Sequence, residues 1–341
     1  MDERKKQVLH AIINDYITTA EPVGSRVVAK KYNLGVSPAT IRNEMAGLED
    51  LGYIEQPHTS AGRRPSNKGY RYYVNTLMQK KDVEKKEAAE IKQLFSRQLR
   101  EIDSFMRYCC QIISRLTNYT TIVSVPHYGK GCLERIQLVL LDSWRVMLIM
   151  LSTNGQVSSR VIVLSDPMTE EQIAVLEKML QDKLQGLDMN SLTHTILREV
   201  SSLLDHRQGM FSKLLESMEM ILMDDREEKV FTSGTMNMLM QPEFKDTEKL
   251  KNIFSLLEEE GQVRNLLELP SEDATSVVIG DENVQEDIQD CSLVVTSYRG
   301  GGQRVGSIGV LGPTRMSYGR AISLLEFIAE EITRTLDKGK I

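Results

Sequence analysis

Arg42 and Asn43 are two adjacent residues whose side chains suit the reading of DNA bases. An Asn side chain can bind adenine through two hydrogen bonds, and an Arg side chain can bind guanine or a phosphate. On a helix that turns by about 100° per residue, Ile41, Met45 and Leu48 share one face and Asn43 lies opposite. The exposed face also carries Ala39, Ala46 and Asp50, flanked by Thr40 and Gly47. Its small residues would let the helix enter a major groove closely, although a solvated face that merely tolerates alanine remains the open alternative.

Ser37 and Pro38 mark the start of the helix that must position these side chains. Ser is a preferred N-cap residue, Pro is favoured in the first helical position, and Gly52 is placed to end the helix. Upstream, apolar residues recur at helical spacing from Val8 to Ile17, and a short second helix is predicted from Arg26 to Tyr32. Three short helices in this order are typical of a helix-turn-helix domain.

A basic segment without carboxylates follows. Between Glu55 and Asp82 the chain has no Asp or Glu, and the cations in that interval are Arg63, Arg64, Lys68, Arg71, Lys80 and Lys81. Such a segment suits contacts with phosphates. A strand predicted at 53–56 and a polar loop at 57–65 would complete a winged helix-turn-helix. Arg63 and Arg64 are predicted at the tip of the wing, in reach of the DNA backbone or the minor groove.

Ser66 can cap one more helix, which contains Tyr70, Tyr72 and Tyr73. These tyrosines resemble a base-stacking platform. Their helical spacing beside aliphatic residues instead favours packing in a core, and that is the predicted role.

The net charge of −6 conceals an asymmetry along the chain. Residues 1–80 contain 12 Lys and Arg against 8 Asp and Glu, which gives +4, and the remainder contains 30 against 40, which gives −10. The N-terminal part is therefore the part suited to a polyanion. No run is long and apolar enough to span a membrane, and the N-terminal residues do not resemble an export signal. We therefore expect a cytoplasmic protein with no membrane partner.

No pattern in the sequence predicts catalysis, a metal site or a cofactor site. The cysteines, which are Cys109, Cys110, Cys132 and Cys291, form no Cys-x-x-Cys pair, and the histidines are scattered singly. The Gly300–Gly302 run lacks the lysine and the helix of a P-loop, so a hairpin turn is predicted there. We expect no catalytic residue, no metal and no cofactor, and therefore a protein that is not an enzyme.

Strand and helix patterns alternate over the rest of the chain. A long helix is predicted from Ile102, strands follow over 121–164, a helical block covers 169–223, and strands return over 275–311 before a last helix. Strands interrupted by a helical block are what a domain with an insertion would show. The predicted fold class is therefore α+β.

Longer motifs at both ends of the chain resemble those of one known family. In the N-terminal part they are Ser37–Met45, Pro57–Arg63 and Lys68–Val74. In the C-terminal part they are Ile279–Asn283, Cys291–Leu293 and Gly309–Tyr318. These segments are similar to motifs of the HrcA family of heat-inducible transcription repressors. The resemblance spans nearly the whole chain and is weakest between Met168 and Met210.

The resemblance implies a winged helix followed by a GAF-like α/β domain, into which a mainly helical dimerisation segment is inserted. The boundaries that follow are 1–80 for the winged helix, 81–165 and 211–341 for the GAF-like domain, and 166–210 for the insertion. The resemblance also implies a sequence-specific repressor of heat-shock chaperone operons. Such a repressor binds double-stranded DNA at an inverted-repeat operator as a homodimer, and a GroEL-type chaperonin keeps it active.

The residues predicted to contact DNA come from the start of the recognition helix and from the wing. They are Ser37, Ala39, Thr40, Arg42, Asn43, His58, Thr59, Ser60, Arg63 and Arg64.

Two other interpretations remain open at this point. A GAF-like domain often holds a small ligand, so the chain could be a metabolite-sensing winged-helix regulator, although the sequence shows no convergent polar cluster for one. The C-terminal part could instead act chiefly as a client of the chaperonin, so that repression reports how well the protein is kept folded. The methionines between Met218 and Met240 suit either a soft surface for a chaperonin or, as we expect, core filling.

Overall fold

The computed structural model describes most of the chain in two compact units. The described residues are 1–58, 61–95, 102–125, 131–153, 157–164, 166–189, 213, 214, 216–218, 220, 229–268 and 275–338. The first unit comprises residues 1–125 and 229–341, and the second comprises residues 126–228. Among the described helices, none combines the length and the apolar character needed to cross a membrane.

Three helices and a two-stranded ribbon begin the first unit. They are α1 (Glu3–Thr19), α2 (Ser25–Tyr32), α3 (Pro38–Asp50), β1 (Ile54–Glu55) and β2 (Arg64–Pro65). The strands β1 and β2 pair antiparallel. The chain continues as α4 (Asn67–Tyr72) and a wider π-helical turn (Tyr73–Leu77). The predicted winged helix-turn-helix is confirmed.

The remaining elements follow in chain order. They are α5 (Lys85–Phe95), α6 (Ile102–Thr117), β3 (Thr120–Ser124), β4 (Leu133–Asp142), β5 (Arg145–Ser152), β6 (Val157–Val163), α7 (Glu170–Leu184), β7 (Val230–Ser233), α8 (Thr247–Glu258), α9 (Glu260–Leu267), β8 (Ser276–Ile279), β9 (Cys291–Gly300), β10 (Gln303–Pro313) and α10 (Tyr318–Asp337). A short 3₁₀ helix, Thr235–Met240, follows β7.

Side-chain caps set the starts of α3 and α4. The Ser37 hydroxyl accepts the Thr40 N–H at 3.1 Å, and the Ser66 hydroxyl accepts the Gly69 N–H at 3.1 Å. Each cap satisfies a backbone donor that the first turn of a helix leaves without a partner. Both caps are those that the sequence predicts.

The helices of the winged helix share one apolar core. Ile12 of α1, Val28 of α2 and Leu48 of α3 are fully buried, and Tyr70 of α4 is 1% exposed. Burying a side chain of this size stabilises the fold by roughly 1.5–3 kcal/mol. Tyr70 and Tyr73 are both buried, so they are core residues and not a base-stacking platform.

Gly69 lets α4 pass directly over the backbone that precedes β1. A Cβ atom at Gly69 would lie 2.1 Å from the carbonyl oxygen of Tyr53. That carbonyl also accepts the Ser66 N–H at 3.1 Å, so it is held in place from the same side. Backbone cannot yield as the end of a flexible side chain can, and only glycine fits here.

The rest of the first unit, called the sheet domain below, is a five-stranded antiparallel sheet in the order β7-β3-β10-β9-β8. Alternate side chains of the sheet fill two cores. Val294 of β9 and Val310 of β10 pack with α6 and α10, whereas Leu293 and Val295 pack with α8 and α9. A sheet covered by helices on both faces is consistent with the predicted GAF-like domain, and the fold class is α+β.

The side chains of α4 attach the winged helix to the sheet domain. Asn67 donates a hydrogen bond of 2.9 Å to Asp281. Arg71 donates to Oε1 of Glu282 at 2.7 Å and to the carbonyl oxygen of Val277 at 2.6 Å. The Arg71–Glu282 contact raises the pKa of the Arg71 guanidinium, so the pair is fully charged at neutral pH. The helix α4 therefore supplies several of the contacts that join the winged helix to the sheet domain.

The second unit contains a three-stranded antiparallel sheet in the order β4-β5-β6. Leu138, Leu148 and Ile162 lie on one face of it and share a buried core with Leu176 and Leu180 of α7. The exposed apolar residues of the three strands are Val139, Leu141, Val157, Val161 and Val163. One face of this sheet is therefore covered by a helix, and the other presents apolar side chains to solvent.

The second unit differs in extent from the predicted insertion. The resemblance implies a mainly helical segment at 166–210, whereas the second unit comprises residues 126–228 and includes the strands β4, β5 and β6. Residues 190–210 of the predicted segment lie outside the described residues. The unit is inserted between two adjacent strands, because β3 pairs with β7 and the Val125 N–H donates to the carbonyl of Lys229 at 2.8 Å.

Replacing Gly69 with Ala tests the close approach of α4 to Tyr53. We expect the free energy of unfolding to fall by roughly 1–3 kcal/mol, because the added methyl group must displace backbone. Gly261→Ala in α9 is the matched control, since its Cβ would meet nothing within 4 Å. That change should raise stability by roughly 0.5–1 kcal/mol, as expected in an open helical position. Denaturant unfolding followed by circular dichroism measures both, and equal effects would contradict the packing described.

Candidate nucleic-acid interface

The exposed face of α3 carries the side chains predicted to read bases. Ala39, Arg42 and Asn43 are exposed and Thr40 is half-buried, whereas Ile41 is fully buried. The side chains of Arg42 and Asn43 have no hydrogen bond or ion pair with any described residue. Their polar groups are thus available to a ligand, and the small Ala39 beside them leaves room for its approach.

Ser37 and Thr40 contribute to the start of α3 itself. Besides accepting the Thr40 N–H, the Ser37 hydroxyl lies 3.0 Å from the Thr40 hydroxyl. The two predicted contact residues therefore fix the first turn of the helix on which Arg42 and Asn43 are displayed.

A carboxylate on α3 is neutralised from α1. Glu44 lies 2.9 Å from Nζ of Lys5 and 3.8 Å from Nη1 of Arg4. The hydrogen bond to Glu44 is the largest of the effects that raise the pKa of Lys5. Without these cations a carboxylate in this position would repel a phosphate backbone. α1 thus supports the interface electrostatically as well as by packing.

The backbone of the wing is tied to the segment that follows α1. Arg63 and Val23 exchange two backbone hydrogen bonds, of 2.8 and 2.9 Å. A Cβ atom at Gly62 would lie 2.6 Å from the carbonyl of Val23, so the two chains approach as closely as glycine allows. The base of the wing is therefore fixed against the helical core.

The turn of the wing contains His58, whose carbonyl accepts the Ala61 N–H at 2.8 Å and whose side chain is exposed. The predicted contact residues Thr59 and Ser60 lie outside the described residues. Arg63 and Arg64 lie in the arm that returns from the turn, with Arg64 in β2, and not at the tip where the sequence places them. The structure thus places His58 in the turn, and Arg63 and Arg64 in a basic arm.

Both wing arginines have carboxylate partners within the winged helix. Nε of Arg63 donates to Glu49 of α3 at 2.9 Å, and its Nη2 lies 2.8 Å from the same oxygen. Nε of Arg64 donates to Glu55 across the β1-β2 ribbon at 2.6 Å. Arg63 therefore links the wing to α3, and to meet a phosphate it would have to exchange Glu49 for it.

Other cations of the basic segment are also engaged. Arg71 pairs with Glu282, Lys80 pairs with Glu326 at 2.7 Å, and Lys68 donates to the carbonyl of Leu51 at 2.9 Å. The sequence does not reveal these contacts, because the partners lie 211 residues from Arg71 and 246 residues from Lys80. The absence of carboxylates from this segment of the sequence therefore does not mean that its cations lack partners in the folded protein.

The helix α2 carries two cations that sequence reasoning did not single out. Arg26 and Lys30 are exposed, and neither has an ion pair with any residue that the structure describes. In helix-turn-helix domains the helix before the recognition helix crosses the DNA backbone. Their spacing of one helical turn was the signal that could have identified them.

Two family models match this chain. The model described as winged helix-turn-helix transcription repressor, HrcA DNA-binding, matches residues 1–79. The model described as HrcA protein C terminal domain matches residues 103–322. The chain belongs to the HrcA family. HrcA proteins are transcription repressors, so the predicted family and the predicted non-enzymatic class are both confirmed.

Curated HrcA relatives match along nearly their whole length. The heat-inducible transcription repressor HrcA of Desulforamulus reducens is 40% identical over 339 residues, which is 99% of this chain and 98% of the relative. That of Pelotomaculum thermopropionicum is 42% identical over 339 residues, with 99% and 97% covered. The crystal structure of a hypothetical protein, 23% identical, superposes with a TM-score of 0.66 over 99% of both chains and so shares the fold.

The Arg63–Glu49 pair makes a prediction about salt dependence. Glu49→Gln removes the competing charge, so binding to any duplex should tighten and the dependence of affinity on salt should steepen by about one unit of slope. Arg63→Ala should weaken binding to all sequences and flatten the slope by a similar amount. Fluorescence anisotropy at several salt concentrations measures both.

Glu258→Gln, which removes the same charge from an exposed position of α8, is the matched control. A slope that is the same in all three variants would mean that Arg63 does not meet phosphates.

Proposed function

We propose that this HrcA protein represses heat-shock chaperone operons by binding their operators in a sequence-specific way in the cytoplasm. It acts as a homodimer on an inverted repeat, and a GroEL-type chaperonin supports its active state. The observation that carries the proposal is that the side chains of Arg42 and Asn43 on α3 are exposed and have no partner among the described residues, in a domain whose other charges are largely paired. The names of the curated relatives, heat-inducible transcription repressors, supply the class of target.

Base reading is assigned to α3 in the major groove. The side-chain amide of Asn43 can donate to adenine and accept from it at the same time. The guanidinium of Arg42 can donate two parallel hydrogen bonds to guanine. Ala39 and Ala46 are exposed on the same helix and allow it to enter the groove closely. Ser37 and Thr40 lie at the N-terminal end of α3, where their hydroxyl groups are in place to contact the DNA backbone.

Phosphate contacts are assigned to both sides of α3. Arg26 and Lys30 of α2 are unpaired among the described residues and require no rearrangement. Arg63 and Arg64 of the wing contribute by exchanging their carboxylate partners for phosphates. His58, Thr59 and Ser60 are assigned to further contacts of the wing with DNA. Arg26 and Lys30 set the affinity for any duplex. The wing adds to that affinity only where a phosphate of the DNA lies within reach of Arg63 or Arg64.

Dimerisation is assigned to the second unit. A two-fold dimer presents two identical winged helices to the two halves of an inverted repeat. The second unit has an apolar sheet face, with Val161 48% exposed and Val163 60% exposed. Contiguous exposed apolar surface of this kind is typical of an interface between subunits. A second copy of the same face is the partner that would bury it symmetrically.

The chaperonin contact is assigned to the 3₁₀ helix Thr235–Met240. Met238 is buried, but Met236 is 65% exposed and Met240 is 85% exposed, with Leu239 also exposed between them. Methionine side chains adapt to varied partners, which suits a chaperonin that binds apolar surface without a fixed sequence. Core filling, the predicted role of the methionines, therefore applies to Met218 and Met238 and not to this pair.

The function is tested by fluorescence anisotropy on an inverted-repeat duplex from a chaperone promoter and on a scrambled duplex. The protein should prefer the inverted repeat by about 10³-fold or more. Arg42→Ala and Asn43→Ala should each lower the free-energy difference between the two duplexes by about 1–3 kcal/mol, because each variant loses two hydrogen bonds to a base. Added chaperonin should raise the fraction of protein that binds.

Lys251→Ala and Asn252→Ala are the matched controls, since they remove a charge and an amide from exposed positions of α8. They should leave the preference unchanged. Equal binding of both duplexes by the unaltered protein would overturn the proposal.

A charge on the exposed face of the second unit tests the dimer. Val161→Glu should shift the protein toward monomer, because two copies would bury a carboxylate without a partner. Val175→Glu is the matched control, since Val175 is 61% exposed but lies on α7, which covers the other face of the sheet. Sedimentation velocity distinguishes the two forms. A Val161→Glu protein that stays dimeric would place the interface elsewhere.

A further inference from the structure

Arg315 connects the sheet domain to the end of α1. It belongs to the C-terminal motif Gly309–Tyr318, lies between β10 and α10, and has a side chain that is 14% exposed. Its Nη1 donates to the carbonyl oxygen of Ile17, in the last turn of α1, at 3.1 Å. The two residues lie 298 positions apart in the sequence, so this contact fixes a point of the winged helix on the sheet domain.

The contact supplies a partner and a charge that the end of α1 lacks. The last carbonyl groups of a helix have no partner within the helix, and their partial negative charge favours a nearby cation. The last turn of α1 contains no basic residue, and the N–H groups of Ala20 and Glu21, which follow it, donate to other acceptors. Arg315 therefore caps α1 from another domain.

The other hydrogen bonds of Arg315 go to a segment of the sheet domain that presents methionine to solvent. Nη2 donates to Oε1 of Gln241 at 2.9 Å, and Nε donates to Oε1 of Glu243. Gln241 directly follows Met240, which is 85% exposed. Residues 235–243, which comprise the 3₁₀ helix and these two acceptors, are called the methionine segment below.

Backbone hydrogen bonds join the exposed methionines to the acceptors of Arg315. The Gln241 N–H donates to the carbonyl of Met238 at 3.0 Å, and the Phe244 N–H donates to the carbonyl of Gln241 at 3.2 Å. The exposed methionines and the acceptors of Arg315 therefore belong to one short turn. A partner bound to the methionines contacts that turn directly.

A guanidinium group is suited to transmit a change across this contact. It is planar, and its N–H groups point in fixed relative directions. The bonds to Gln241 and Glu243 therefore set the direction of Nη1, and a shift of these two acceptors turns Nη1 away from the Ile17 carbonyl. A lysine ammonium group, whose N–H groups rotate together about a single bond, would not fix such a direction.

We propose that Arg315 is a positioning residue that couples the methionine segment to the winged helix. A partner with an apolar surface that binds Met236 and Met240 shifts the acceptors of Arg315, and Arg315 transmits that shift to α1. The coupling has the form of an equilibrium between two positions of α1, one with and one without the contact to Arg315. This inference rests on the proposed function, because it names the path by which the chaperonin contact acts on DNA binding.

The helix α1 passes a change at its end on to α3. Ile12 of α1 shares a buried core with Ile41 of α3, and Lys5 of α1 lies 2.9 Å from Glu44 of α3. Linked equilibria are reciprocal, so if the methionine segment influences DNA binding, bound DNA must influence the methionine segment by the same free energy. DNA can therefore serve as the probe, and the test needs no chaperonin.

Hydrogen exchange of the free protein, measured by mass spectrometry, tests the connection. Among the described residues the side chain of Gln241 bonds only to Arg315, so Gln241→Ala removes one acceptor of the guanidinium. Exchange in residues 14–24, at the end of α1, should become roughly two- to tenfold faster, as the loss of one hydrogen bond predicts.

Gln262→Ala is the matched control, since Gln262 of α9 is also half-buried and its side chain donates to Glu259. It should leave the exchange of α1 unchanged. Equal exchange of α1 in the unaltered protein and in both variants would overturn the proposal.

Arg315→Lys tests the residue itself. The variant keeps the positive charge but loses the fixed geometry, so exchange should be faster both at the end of α1 and in the methionine segment. Arg320→Lys is the matched control, because the Arg320 guanidinium donates to Glu87 and to the carbonyl of Leu116, outside the winged helix. It should change neither region. A change in Arg315→Lys that is confined to one region would contradict the connection.

The inverted-repeat duplex tests the coupling. In the unaltered protein, bound DNA should change the exchange of the methionine segment by about twofold or more, although no residue of that segment is assigned to DNA. In Arg315→Lys this change should be lost, whereas a residue that only stabilised the fold would leave it in place. A methionine segment that exchanges equally in the free and the DNA-bound protein would overturn the coupling.

The two sets of measurements separate this inference from the proposed function. If the protein does not distinguish the inverted repeat from the scrambled duplex, the proposed function fails. Faster exchange of α1 in the free Gln241→Ala protein would still support the connection through Arg315.

Discussion

The pairing of carboxylates with cations inside the winged helix decides what this domain can present to DNA. Among its described residues, the paired carboxylates are Asp2, Glu3, Asp15, Glu44, Glu49 and Glu55. The chain carries a net charge of −6, so a phosphate backbone is attracted only where local cations dominate. Pairing offsets six of the eight carboxylates of residues 1–80 and leaves Glu21 and Asp50. The cations of this part without a carboxylate partner among the described residues are Arg26, Lys30, Arg42 and Lys68, and they define the attractive surface.

Much of the DNA-facing part could be predicted because its signals are local. The Ser37 cap and the apolar face of α3 each act within a few residues of the feature they determine. Periodicity therefore identified the recognition helix, and its exposed face followed from geometry alone. The tyrosines of α4 were assigned to the core for the same reason, since helical spacing decides which side chains point inward.

Long-range contacts and sheet membership could not be predicted in this way. No residue near Arg71 in the sequence indicates that Arg71 binds Glu282. The sequence therefore suggests that Arg71 is available to phosphates, whereas in the structure it joins the winged helix to the sheet domain. The strands β4 and β5 alternate buried residues with exposed or half-buried ones, whereas β3, β9 and β10 are buried nearly throughout. Their pairing assigns the two groups to separate sheets, and that pairing joins residues far apart in the sequence.

The position of the second unit has a consequence for how such proteins can evolve. It leaves and re-enters the sheet at one hydrogen-bonded position, between Val125 and Lys229, where a short hairpin turn would serve equally well. The entropy of closing a loop grows only slowly with its length, so the sheet tolerates almost any content there. The second unit can be lengthened, replaced or deleted in evolution without a change in the winged helix. If the second unit forms the proposed dimer interface, oligomeric state and operator choice can thus be inherited as separate traits.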